Sequence, residues 1–181
     1  MAEFFSELEQ SHKDFITAQA MFFVATAPSK GGRISLSPKG LDSFRVLSPQ
    51  QVAYLDITGS GNETAAHTLE NGRITLMFCS FTRNPLILRL YGQGRSVQPG
   101  DGEWPGLYSR FPTEPGVRQI MLIDVASLQT SCGYGVPLYE LVSERETMRR
   151  WADSKTPEEL EAYRRKKNTT SIDGLPTGLK A

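Results

Sequence analysis

"AMFFVATAPSKGGRISLSPKG", residues 20–40, decides the fold class. Its first half is aromatic and β-branched, "PSKGG" is a turn signal, and "RISLSPKG" alternates residue by residue. Ile34 and Leu36 fall on one face, Ser35, Ser37 and Lys39 on the other. The stretch predicts an antiparallel hairpin with one apolar and one polar face.

Outward from the hairpin the same grammar repeats. "FRVLSPQQVAYLDI" (44–57) reads as a third strand ending near Asp56, and "ETAAHTLEN" (63–71) as a short helix stopped at Asn71-Gly72. "RITLMFCSF" (73–81) and "LILRLYGQGRSV" (86–97) predict two further strands. "GEWPGLYSRFP" (102–112) predicts a helical turn, and "VRQIMLIDVASLQTS" (117–131) a strand pair. Ahead of the hairpin, residues 2–19 have a loose helical spacing. At least six strands with few helices between them, and no βαβ alternation, predict a mainly β fold, an antiparallel barrel.

Residues 143–167 are charged and helical, with a break around 153–157. There Thr156-Pro157-Glu158-Glu159 supplies a cap, a proline at the first helical position and a glutamate three after the cap. The chain therefore divides into a barrel domain, 1–142, and a C-terminal helical extension and tail, 143–181.

Composition narrows the function. Hydrophobic residues make up 39% of the 181 and charged residues 22%, with 20 basic against 20 acidic side chains. That balance gives no support to nucleic-acid or membrane-surface binding. "AMFFVATA" is too short to span a bilayer and lacks the flanks of a signal peptide, so a cytoplasmic location is expected. Cys79, Cys132 and two histidines 55 residues apart have no metal-ligand spacing, and no metal site is expected. No nucleophile constellation, paired-glycine fingerprint or phosphate-loop lysine motif occurs, so catalytic residues are unknown and any redox chemistry would rest on an organic cofactor.

The loop "TGSGNET" (58–64) carries the main candidate site. Gly59 and Gly61 leave the backbone accessible; Thr58, Ser60, Asn62 and Thr64 add polar groups next to a helix start, an arrangement that cradles anions. A plain capped turn, with Asn62 or Thr58 as N-cap, fits the same residues. The loop has no cation, and Lys39 could supply one if the strands bring it near; it could equally face solvent. His67, one turn after Glu63, is expected to be a surface pair with it. "RRKK" (164–167) is expected to be a solvated helix end.

Taken in order, "FFVATA", "SPKG", "FRVL", "AYLD" with "TGSGNET", "ENGRITLMFCSF" and "RLYGQGR" resemble the pyridoxamine 5'-phosphate oxidase-related, FMN-binding split-barrel proteins. "SCGYGVP" and "KNTTSIDGLP" extend the resemblance into the tail. It implies a six-stranded antiparallel split barrel, a homodimer, and FMN in a cleft at the subunit interface. It puts Ser37 and Lys39 near the cofactor, with Thr58, Gly59, Ser60, Asn62, Glu63 and Thr64 towards its phosphate. The oxidases themselves carry an Arg-Lys pair where this chain has Asn62-Glu63, and a C-terminal Arg-x-His element with no counterpart here. The resemblance thus implies an FMN-dependent oxidoreductase acting on another substrate; a non-catalytic flavin, deazaflavin or haem carrier is the alternative.

Overall fold

A computed structural model describes residues 2–180. Eight strands form one antiparallel sheet in the order β3-β2-β6-β7-β8-β5-β4, with β1 pairing on β8. The strands are β1 (Glu3–Phe5), β2 (Phe22–Thr26), β3 (Ser35–Lys39), β4 (Phe44–Ser48), β5 (Gln51–Ile57), β6 (Arg73–Cys79), β7 (Ile87–Val97) and β8 (Val117–Ser131). Five helices lie around them: α1 (Gln10–Thr17), α2 (Glu63–Asn71), α3 (Trp104–Tyr108), α4 (Thr147–Asp153) and α5 (Pro157–Lys167). The sheet curls without closing, and its two terminal strands, β3 and β4, are joined only by the turn 40–43. This is a split barrel.

Alternation along the strands builds two apolar layers. Phe22 and Val24 of β2, Val52 and Tyr54 of β5, Leu76 and Phe78 of β6, and Met121 and Ile123 of β8 fill the interior. Phe22, Phe44, Tyr54 and Phe78 pack there as an aromatic cluster, with Phe22 and Phe44 at 5.1 Å between centroids across the split. The opposite faces of β5 and β8, carrying Ala53, Leu55, Ile120 and Leu122, are covered by Trp104, Leu107 and Tyr108 of α3.

Several details depart from the expected pattern. Residues 44–57 are two strands, because Ser48-Pro49-Gln50 makes a hairpin turn between β4 and β5. Residues 117–131 are one strand of 15, because no glycine or proline interrupts them and both edges find partners, β5 on one side and β7 on the other. The hairpin has the two faces expected, and it is the polar one that turns inward. Ser35, Ser37 and Lys39 pair with Thr26, Val24 and Phe22 on the interior side, while Ile34 and Leu36 are 77% and 65% exposed on the chain's outer surface.

The helix termini follow local chemistry. Gly72 ends α2 with φ +75°, a conformation that favours glycine, and its N–H donates to Thr68 O. Thr156 caps α5 reciprocally: Glu159 N donates to Thr156 Oγ1 at 3.2 Å, and Thr156 N donates to Glu159 Oε2 at 2.9 Å.

Candidate functional site

A cleft of about 830 Å³ opens where the end of β3, the loop after β5 and the C-terminal extension meet. That volume lies within the roughly 300–1,000 Å³ typical of small-molecule sites. Lys39 and the loop residues Thr58, Gly59 and Ser60 form one wall. Met21, Phe81, Tyr139, Met148, Trp151 and Tyr163 form an apolar and aromatic wall. Trp151 of α4 and Tyr163 of α5 meet edge to face at 5.0 Å, and Phe81 stacks on Tyr139 at 5.5 Å. The C-terminal extension therefore contributes Met148, Trp151 and Tyr163 to the cleft in the same chain.

Lys39 is not free. Its Nζ lies 2.9 Å from Asp56 Oδ1 and 5.7 Å from the Tyr54 ring centroid. Asp56 Oδ2 accepts from Arg118 Nε at 2.9 Å and from Gln119 Nε2 at 2.8 Å. Burial opposes the charge on Asp56, but Arg118 and Lys39 outweigh it and hold the carboxyl far below the usual carboxylate range. Burial first, and then the Asp56 charge, push the Tyr54 phenol up.

The same buried network sets the loop. Gln119 Nε2 also donates to Asn62 Oδ1 at 2.8 Å, and Asn62 Nδ2 donates to Asn168 O at 3.2 Å. Arg118 Nη1 donates to Gly61 O at 2.8 Å, and Asn168 Nδ2 to Gly59 O at 3.0 Å. With these carbonyls tied backwards, the N–H groups of Gly59, Ser60 and Gly61 have no acceptor among the described residues. Thr58 Oγ1 donates to Gly116 O at 2.7 Å and accepts from Arg164 Nε at 2.9 Å.

The residues singled out from sequence thus separate into two sets. Lys39, Thr58, Gly59 and Ser60 come together at the cleft. Asn62 occupies the N-cap position of α2, but its side chain points into the network and makes no cap bond. Thr64 is buried in the first turn of α2. Glu63 turns to the tail, where its Oε1 accepts weakly from Ile172 N at 3.4 Å. Ser37 lies two residues before Lys39 and is not among the cleft residues.

His67 contradicts the surface expectation. It is 1% exposed, and its Nδ1 lies 2.9 Å from Thr26 Oγ1, so it ties α2 to β2 rather than pairing with Glu63. The reason is that α2 lies on the barrel with Ala65, Ala66 and His67 facing inward.

Asp56, Arg118, Gln119, Trp151, Tyr163 and Asn168 were not singled out as site residues, and Arg164 was expected only in a solvated helix end, which its part-buried bonds to Thr58 and Val117 contradict. The first three had a visible signal: charged or amide groups inside strands that are otherwise apolar. The others had none, since their partners are far away in sequence. Among the described residues no cluster of three or more His, Cys, Asp or Glu side chains could hold a metal ion, and no helix is long and apolar enough to cross a membrane.

Comparison with known proteins agrees with this architecture. The pyridoxamine 5'-phosphate oxidase profile matches residues 8–132. A pyridoxamine 5'-phosphate oxidase family protein of Aspergillus flavus, ustO, is 39% identical over 193 aligned residues, covering 97% of this chain and 78% of the relative. The chain belongs to the pyridoxamine 5'-phosphate oxidase family. Among solved structures, HupZ of Group A Streptococcus superposes with a TM-score of 0.54 at 22% identity, over 68% of this chain and 98% of HupZ. A candidate pyridoxamine 5'-phosphate oxidase of Lactobacillus delbrueckii gives 0.53 at 17%, over 68% and 94%. At those identities the likeness is one of fold.

Proposed function

We propose that this chain is an FMN-binding oxidoreductase of the cytoplasm that does not oxidise pyridoxamine phosphate. The observation that carries the reading is the pairing of two unlike walls in one cleft. Backbone donors at Gly59–Gly61, with Lys39 beside them, suit an anionic end, and Trp151, Tyr163, Phe81 and Met148 suit a flat aromatic ring. Bound FMN would supply hydride and electron transfer. The chain's own residues would bind the phosphate through the loop, hold Lys39 in place through Asp56, and exclude water with the α4–α5 wall.

The functional unit is proposed to be a homodimer with the cleft at the subunit interface. Ile34 and Leu36 on terminal strand β3, together with Leu141 and Val142 beside the cleft, leave apolar surface exposed on the single chain. Exposed apolar side chains at these positions support the dimer reading.

The test is spectroscopic. Purified protein should be yellow and hold about one FMN per subunit; a colourless protein that takes up no FMN would sink the reading. Reduction of the bound flavin by a nicotinamide nucleotide, with reoxidation by an acceptor, separates the enzyme from a non-catalytic flavin, deazaflavin or haem carrier.

A further inference from the structure

The proposed anion end of the cleft lacks a cation within its loop, while the C-terminal helix holds a cation without a counter-charge. Lys39 and Arg118 both pair with Asp56. Arg164 makes no ion pair among the described residues, since Glu161 on the same helix binds Arg165 at 3.2 Å instead. Its guanidinium donates only to neutral acceptors, through Nε to Thr58 Oγ1 at 2.9 Å and through Nη2 to Val117 O at 3.0 Å.

Lys39, Arg118 and Arg164 thus lie behind residues 58–61; Asp56 pairs with the first two, and the Glu63 carboxylate, set against Gly61, accepts from Ile172 N of the tail. A half-buried guanidinium beside a second cation is costly until an anion completes the set. Burial, and then the neighbouring Arg118, pull the Arg164 pKa down, and Glu161 on the same helix offsets them only in part. Asn168, which caps α5, also binds Gly59 O, so helix and loop meet at two points.

We infer that Arg164, set behind Thr58 rather than in the cleft lining, is the residue of this chain whose charge offsets the anionic end of the bound ligand, a charge that Asn62-Glu63 do not supply. The inference rests on the flavin reading for the ligand's identity: a phosphate monoester attached to a planar ring. It makes the C-terminal helix part of the binding site in the same chain.

The experiment compares FMN with riboflavin, which lacks the phosphate, and adds inorganic phosphate as a probe independent of flavin. Arg164→Gln should weaken FMN roughly tenfold, the scale of one charge-assisted contact. It should leave riboflavin unaffected and abolish the rise in Tm that phosphate gives the wild type. Arg164→Lys, which keeps the charge but not the fork, should show a smaller loss confined to FMN, and it carries the comparison if the Gln variant does not fold. Lys166→Gln, exposed on the same helix, should change nothing. Equal losses of FMN and riboflavin would make Arg164 a brace only and overturn the inference. So would a phosphate effect absent from the wild type or equal in wild type and variant. If phosphate acts through Arg164 but neither flavin binds, the flavin reading falls and the anion site stands.

Discussion

Lys39 Nζ and Asp56 Oδ1 are 2.9 Å apart, and that contact spans the open seam of the barrel. Lys39 ends β3, one terminal strand, whereas Asp56 lies on β5, next to the other terminal strand. No backbone ladder joins β3 to β4 or β5. The ion pair therefore fastens the curl of the sheet at the place where the cleft opens.

The pair makes stability depend on acid. The folded-state pKa of Asp56 lies below its unfolded value of about 3.9, so its contribution is complete above that value and is lost as pH falls below it towards the folded value. Asp56→Asn should flatten this acid limb. It should also cost about 3–5 kcal/mol at neutral pH, because Arg118 would stay buried without its counter-charge. Urea unfolding of both proteins between about pH 3 and pH 7 reads the two effects.

His67→Ala distinguishes a buried histidine from a surface one. A surface substitution would change stability by less than about 0.5 kcal/mol. Removing a ring that fills the α2–β2 contact and partners Thr26 should cost about 2 kcal/mol or more in the same unfolding assay.

Gly72→Ala should destabilise by about 1–2 kcal/mol, since Gly72 has φ +75° and an added Cβ would meet the Gln93 side chain. Gly106→Ala in α3 is the control, because nothing lies within 4 Å of a Cβ added there. Thermal melts should show a lowered Tm for the first and none for the second.

Trp151→Ala should weaken FMN and riboflavin in parallel, by about three- to tenfold, through loss of aromatic contact with the ring end. Titration of both ligands checks this. The parallel loss contrasts with the selective loss expected at Arg164.

Much of the architecture was legible because it is local. The α2 helix runs over Glu63–Asn71 and stops at Gly72 where the Asn-Gly signal stands, and the Thr156 box caps α5 as its spacing requires. The hairpin's two faces were legible, but which of them faces the interior was not. The apolar residues Ile34 and Leu36 lie outside the chain's core because β3 is a terminal strand whose polar side faces the seam. The single strand over 117–131 was missed because its length depends on two partner strands.

Of the candidate site, Lys39 and Thr58–Ser60 were visible as residue types, but their pairing and orientation were not. Hydroxyls and glycines advertise a donor loop. Nothing local shows that Asn62 points inward to Gln119 and Asn168, or that Glu63 faces Ile172.

By itself the sequence determined the mainly β class, the α2 helix and the α5 cap, the donor-rich loop and the family likeness, since side-chain period and turn chemistry act over a few neighbouring residues. Only the tertiary structure decided which charges are paired and what covers the cleft. Arg164 reaches Thr58 across 106 positions and Arg118 reaches Asp56 across 62, and electrostatic pairing depends on distance in space. The curl of an unclosed sheet brings these groups together, and the free charge on Arg164 exists only as the remainder after the others have paired.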